Sequence, residues 1–160
     1  MQTFLPYPSF SRSARVLDVR RLGKQRVEAL QVLRALRVPG YGWRHHPVVA
    51  MWRGYEEALL CYGVAVAERW CALGHRDTVL DSLRAAAPRG RVSAQAELRA
   101  RGRLPWWLGR RRFHRSHQSA LVRKDPAHYR RFFPDVPDDL PYVWPGGAAA
   151  RPDAVRRGRS

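Results

Sequence analysis

Residues 13–36 carry one continuous helical pattern, and that pattern restricts the fold more than any other feature of the chain. At ~100° per residue, Val16, Val19, Leu22, Gly23, Val27, Leu30 and Leu33 fall on one arc, and Arg21, Lys24, Glu28 and Gln31 form a polar stripe opposite. A strand would need alternation with period two, which is absent. Ser11 or Ser13 can cap the start of this helix, and the Val38-Pro39-Gly40 sequence stops it after about Leu36. A longer apolar helix is predicted from Pro47, a residue suited to a first helical position, to Leu73, with Gly74 just past its end. It carries Trp52, Leu59, Val66 and Trp70. Asp77 caps a third helix reaching about Ala87, and further helical pieces are predicted over 94–101, 112–124 and 127–133. The chain of 160 residues suits one core. The expectation is an all-α, single compact domain of about five to six helices with Pro/aromatic-rich loops. It spans residues 1–145 and is followed by a disordered, Arg-containing tail over 146–160.

Charge then narrows the partner. There are 30 Lys+Arg against 13 Asp+Glu, a formal charge of +17. Only Lys24 and Lys124 are lysines. The tail accounts for a net +3, so the basic character belongs to the folded part. A field of this sign favours polyanions, because each phosphate neutralised releases condensed counterions. A drift in composition toward Arg, spread over a solvated surface, is the plain alternative. No run approaches ~18 apolar residues, so no transmembrane span is expected, and the N-terminus lacks the basic and apolar regions of a signal peptide. Cys61 and Cys71 sit on one predicted helix, roughly 15 Å apart at ~1.5 Å per residue, too far to bridge. Reduced thiols in a cytoplasmic, nucleoid-associated protein are expected.

Three constellations could carry chemistry. The first is the stripe Arg21, Lys24, Glu28, Gln31. As a plain helix surface it holds a Lys24–Glu28 pair at i,i+4, worth about 0.2–0.5 kcal/mol, in the less favourable order. As a site, it offers one acid among cations, able to steer a proton or steady a developing cation, and a lysine able to act as an amine nucleophile where arginine cannot. The second is the histidine set His45, His46, His114 and His117. These could build a metal-dependent nuclease, but the flanking arginines oppose a dication and no acid or cysteine stands at ligand spacing. Phosphate contact or buried, satisfied histidines fit better. The third is the run from Ser116 to Phe133, where Gln118, Arg123 and Lys124 supply donors and residues 129–133 interleave basic and aromatic side chains. Such a run can hold phosphate while rings stack on unpaired bases; Phe132 and Phe133 fit a core better.

Taken together, these residues resemble the pyrimidine-dimer DNA glycosylase (phage endonuclease V-like) superfamily, and more nearly a bacterial branch of it. The branch is suggested by Ser13-Ala-Arg-Val-Leu-Asp18, Arg21-Leu-Gly-Lys-Gln-Arg-Val-Glu28, His46-Pro47, Met51-Trp52, His114-x-x-His117 and Arg123-Lys-Asp-Pro126. A fainter, collinear likeness to the phage-type enzyme runs through the segment from Ala67 to Thr78, Gln118-x-x-Leu121-x-x-Lys124, and Pro126-x-x-Tyr129-basic-x-Phe-Phe133. The resemblance covers about residues 1–133. It implies an all-α DNA glycosylase with an associated abasic-site lyase that uses no metal or cofactor. An N-terminal threonine amine forms an imine with the sugar, a first-helix glutamate assists, and basic and aromatic residues grip a kinked lesion.

The chain departs from that pattern at the chemistry. Residue 2 is Gln, so Thr3, the threonine nearest the start, is not brought to the terminus by loss of Met1. The glutamate position of the first helix falls near Arg21 to Gly23, and Glu28 is the next acid beyond it. The nucleophile is therefore the Met1 amine, Lys24, or no amine at all. Candidate catalytic residues are Glu28, Lys24 and Thr3. Candidate DNA contacts are Arg20, Arg21, His46, Arg53, His117, Gln118, Arg123, Lys124, Tyr129 and Arg130. The expected partner is damaged or modified duplex DNA, bound by a monomer away from membranes, with the cations gathered in a groove between the first and last long helices. A non-catalytic nucleic-acid-binding protein on the same fold is the other reading.

Overall fold

A computed structural model describes residues 1–152 of the chain. Its helices are α1 (Phe10–Val16), α2 (Val19–Arg37), α3 (Pro47–Trp52), α4 (Glu56–Ala72), α5 (Val79–Ala85), α6 (Gln95–Ala100), α7 (Arg111–Lys124) and α8 (Pro126–Tyr129), with 3₁₀ turns at Pro88–Gly90 and Ala148–Ala150. There is no strand among the described residues. The fold is all-α. Two expected helices are each split, which raises the count to eight.

The first split falls at Leu17-Asp18. Ser9, not Ser11 or Ser13, caps α1 by accepting from the Arg12 amide at 3.2 Å. Asp18 then opens α2, its Oδ1 accepting from the Arg21 amide at 3.1 Å. A capping carboxylate inside an apolar repeat wins over the repeat, because it satisfies an orphan amide of the new helix. The buried arc of α2 is also turned from the one expected. Leu22, Ala29, Val32 and Leu33 face inward together with Gln25, whereas Val19 is exposed. The second split falls at Gly54, whose φ of +84° closes α3 and admits no ordinary side chain without strain. A Cβ there would also lie 2.8 Å from that of Ala148.

Helix α4 is the centre of the molecule, with α2, α1 and α5 packed around it. Gly63 permits the close approach: a Cβ would meet Leu83 at 3.1 Å and Ala29 at 3.2 Å. An aromatic core of Phe10, Trp52, Tyr62, Trp107 and Phe113 fills the space between α4 and α7, all these rings being fully buried. Burying a ring of this size contributes roughly 1.5–3 kcal/mol. Cys61 and Cys71 on α4 are free and half-buried, and burial, with help from Glu68 and Glu97, pushes the Cys61 thiol up to about 11.

Both ends of the described chain are tied to α7. Residues 2–6 thread between α2 and α7 in extended form. The Phe4 amide donates to Gln25 Oε1 at 2.6 Å, the Leu5 amide to His117 Nδ1 at 2.9 Å, and Gln118 Nε2 to the Pro6 carbonyl at 2.8 Å. From the other end, residues 140–144 lie along α7 as an extended strap. Ser119 Oγ accepts from the Leu140 amide at 3.0 Å and Ser116 Oγ from the Val143 amide at 3.1 Å. The packed body runs past the expected boundary at 145. The Ala148 amide donates to the Arg53 carbonyl at 2.9 Å, and the Trp106 indole to the Gly147 carbonyl at 3.2 Å. These backbone groups find protein partners where a solvated tail would find water. The remainder of the expected tail, residues 153–160, lies outside the described residues. No helix among the described residues is long and apolar enough to cross a membrane.

Candidate functional site

The polar stripe of α2 forms one wall of a cavity of about 470 Å³, inside the ~300–1,000 Å³ usual for ligand pockets. Arg20, Arg21, Lys24 and Glu28 come from α2, Met1 and Gln2 from the N-terminal thread, His46 from the start of α3, Lys124 from the last turn of α7, and Trp144 from the C-terminal strap. The first and last long helices therefore meet at this cavity.

Glu28 is the carboxylate within it, and its position is fixed from beneath. Gln25, one turn earlier and buried, spends its Oε1 on the Phe4 amide and the Tyr62 hydroxyl, the latter at 2.9 Å. Its Nε2 then donates to Glu28 Oε2 at 2.9 Å. The Gln2 amide donates to the same oxygen at 3.2 Å, which sets the first residues of the chain against the acid. No ion pair joins Lys24 to Glu28, so the helix-surface pairing allowed by their spacing is not formed, and among the described residues the Lys24 amine has no partner.

Arg21 is aimed by a separate device. Asp18 Oδ2 accepts from the Arg21 guanidinium at 2.8 Å and from the Tyr129 hydroxyl at 2.5 Å. Burial works against the charged Asp18, yet the hydrogen bonds from Tyr129 and Arg21 outweigh it and hold its carboxyl below the usual range. Arg20 and Lys124 are exposed, and among the described residues neither has a hydrogen-bond or ion-pair partner. His46 caps α3, its Nδ1 accepting from the Val48 amide at 3.1 Å. Burial and the amino group of Met1 lower its pKa, only partly opposed by Glu28, which favours the neutral ring.

Several candidates lie elsewhere. Thr3 is buried, and its Oγ1 accepts from the Trp52 indole at 3.0 Å; it is a core residue. His117 and Gln118 meet the chain's own N-terminal backbone where DNA contact was expected, because a buried extended segment must satisfy its amides and carbonyls. Tyr129 is fully buried under Asp18 and presents no face to a base. Arg130 is occupied by the Val136 carbonyl at 2.6 Å and the Pro134 carbonyl at 3.3 Å. Arg53 and Arg123 are exposed but do not line the cavity. The four histidines do not gather either. His114 accepts from the Gly109 amide at 2.8 Å and donates to the Leu5 carbonyl at 2.8 Å. Among the described residues no three His, Cys, Asp or Glu side chains come together as metal ligands.

Gln2, Gln25, Asp18 and Trp144 escaped sequence reasoning. Gln25 could have been found, since it stands three residues before Glu28 on the same helix. Trp144 had no local signal: its strap is brought to the cavity by distant contacts, among them the two serines of α7 and the stacking of Tyr142 on His117.

A family model for pyrimidine dimer DNA glycosylase matches residues 1–83, just over half of the 160-residue chain. The chain belongs to the pyrimidine dimer DNA glycosylase family. No curated protein and no solved structure matches it. Family membership supports a DNA-repair function of the glycosylase type with DNA as the substrate. The matched stretch of this glycosylase-family chain contains every residue lining the cavity except Lys124 and Trp144.

Proposed function

We propose that this protein is a DNA glycosylase with abasic-site lyase activity, and that the cavity between α2 and α7 receives the sugar of a nucleotide extruded from damaged duplex DNA. The observation that carries the reading is the convergence of two amines, of Met1 and Lys24, and one fixed carboxylate, Glu28, in a cavity that Arg20, Arg21 and Lys124 also line. Arg20, Arg21 and Lys124 suit the flanking phosphates. Extrusion costs least at a damaged pair, which supplies part of the selectivity.

In this reading an amine lone pair attacks C1′ of the deoxyribose, and the bond from C1′ to the base breaks. The base leaves with the bonding electrons and takes up a proton. Glu28 accepts the proton that the amine gives up, and its charge steadies the positive character developing at C1′. Opening of the sugar ring leaves an imine between protein and C1′. The imine acidifies C2′–H; loss of that proton expels the 3′-phosphate oxygen and cuts the strand. The chemistry calls for no metal.

Borohydride reduction during turnover of a damaged or abasic duplex tests this. It should convert the imine to a stable amine linkage, with the adduct found on residue 1 or residue 24 by peptide mass. In Lys24→Arg, a persisting adduct assigns the Met1 amine and a lost adduct assigns Lys24. Base release without any adduct would leave a glycosylase that uses water. Tight DNA binding without base release from a panel of damaged duplexes would favour a non-catalytic DNA-binding protein.

A further inference from the structure

Cations wall the cavity, but its rim on the α3 side is aromatic. Trp43 projects from the loop before α3, 58% exposed, and its ring meets His46 edge-on at 5.8 Å. Trp144 also meets this imidazole edge-on, at 5.7 Å, and is itself 38% exposed. Two tryptophans and a histidine thus form a continuous apolar rim, of which His46 and Trp144 also line the cavity.

Packing does not account for Trp43. It takes no part in the core, and its backbone sits at φ +70°, a conformation that is a genuine outlier for a bulky residue. Glycines at 40 and 42 are close by, and the chain nonetheless sets an indole in the left-handed position. An outlier of this kind, holding a large ring in water beside a cavity, points to a ligand.

We propose that Trp43, with His46 and Trp144, forms a stacking subsite for an unpaired nucleobase of the DNA strand whose sugar and phosphates occupy the adjoining cavity. The inference rests on the reading under Proposed function and adds the part that recognises a base. A simple anion would use the cations and leave the indoles idle. A nucleotide strand uses both, because each phosphate is followed at once by a flat aromatic heterocycle, and every base offers a π-face. Inside a duplex those faces are covered. Extruding one nucleotide uncovers them on the extruded base and on its former partner.

The test uses the full chain and a duplex in which one strand carries a stable abasic-site analogue with 2-aminopurine as its neighbour, the probe left unpaired by a second abasic analogue opposite it; the emission of 2-aminopurine falls when it stacks. Wild-type protein should quench the probe. Trp43→Ala should bind about 5- to 150-fold more weakly, the range expected for one lost base–aromatic stack, with the quench lost and the salt dependence unchanged. Trp43→Phe should keep the quench. Trp43→Gly should lose binding as the alanine variant does while melting no lower than wild type, because glycine is at ease at this φ. Equal affinity and quench in wild type and Trp43→Ala would overturn the subsite while leaving the glycosylase reading intact. A Trp43→Gly protein that melts markedly lower would assign Trp43 to structure and also overturn it. Failure of the wild type to bind any duplex would overturn the underlying reading itself.

Discussion

Glu28 and His117 show how one residue's surroundings decide its work. Glu28 sits on an exposed helix stripe, yet two donors, the Gln2 amide and Gln25 Nε2, converge on a single carboxylate oxygen. Its other oxygen is left for the cavity. Glu28→Gln keeps the shape and removes the base; single-turnover base release should fall about 10²- to 10⁴-fold, the usual contribution of a positioned acid–base group, with DNA affinity little changed. Equal rates would reduce Glu28 to a structural residue. His117 is the reverse case. Its Nδ1 accepts from the Leu5 amide, so the proton resides on Nε2, which is buried without a partner. Desolvation, and secondarily His114, push its pKa well below the usual value. The unfolded chain therefore takes up protons first as pH falls through ~6.5, and the native state does not. Stability that is fully present above ~6.5 declines below it, by ~1.4 kcal/mol per pH unit for each proton. His117→Asn, whose side-chain oxygen can accept from Leu5, should flatten that decline by about one proton between pH 6.5 and 5 in denaturant titrations.

At the scale of elements, the junction between the start of α2 and α8 aims Arg21. The Tyr129 hydroxyl both donates to Asp18 Oδ2 and accepts from the Asp18 amide at 3.1 Å. Tyr129→Phe should lower stability by about 1.5–3 kcal/mol, as expected for hydrogen bonds to a charged group, and let the Asp18 carboxyl titrate at higher pH. Chemical denaturation at pH 7 and at pH 3 checks it. The loss should be smaller at pH 3, because Asp18 in its depressed state stabilises the fold above the unfolded pKa of ~3.9 and ceases to do so as pH falls through the native value. The same junction marks where sequence reading stopped short. Helical periodicity found α2 and α4, which bury a face with a regular repeat, and the shorter α5, α6 and α7 were also placed closely. It ran across Asp18 and Gly54, where a cap and a left-handed backbone override an unbroken apolar pattern. Glu28, Lys24, Arg20, Arg21 and Lys124 could be read as a set because charge and helical spacing expose them. His117, Gln118 and Tyr129 could not be separated from that set, since whether a polar side chain meets DNA or the chain's own backbone depends on contacts more than a hundred residues apart.

For the whole molecule, the decisive arrangement is a basic body whose cavity faces one way. Among the described residues Arg20, Lys24 and Lys124 stand around it without acidic partners; elsewhere Arg84 pairs with Glu68, Arg91 with Glu97 and Arg101 with Glu57, while Arg15, Arg53, Arg111 and Arg112 are exposed on other faces. What sets the cavity's cations apart is their grouping around one acid, which suits them to displace counterions from a phosphate backbone at one place. Lys124→Ala should weaken duplex binding uniformly across sequences and reduce the slope of log K against log salt by about one. An unaltered slope, measured by titration at four or more salt concentrations, would remove the end of α7 from the DNA interface.

Met1 and Trp144, almost the full length of the described chain apart, wall the same cavity. Loop-closure entropy makes such distant pairings the slowest to form. A nascent chain still on the ribosome would own α2 and its glutamate well before the strap can latch to Ser116 and Ser119. The pocket would therefore come into being only when synthesis is nearly complete, and a half-made copy would carry the acid and the amines without the enclosure that turns them on a sugar.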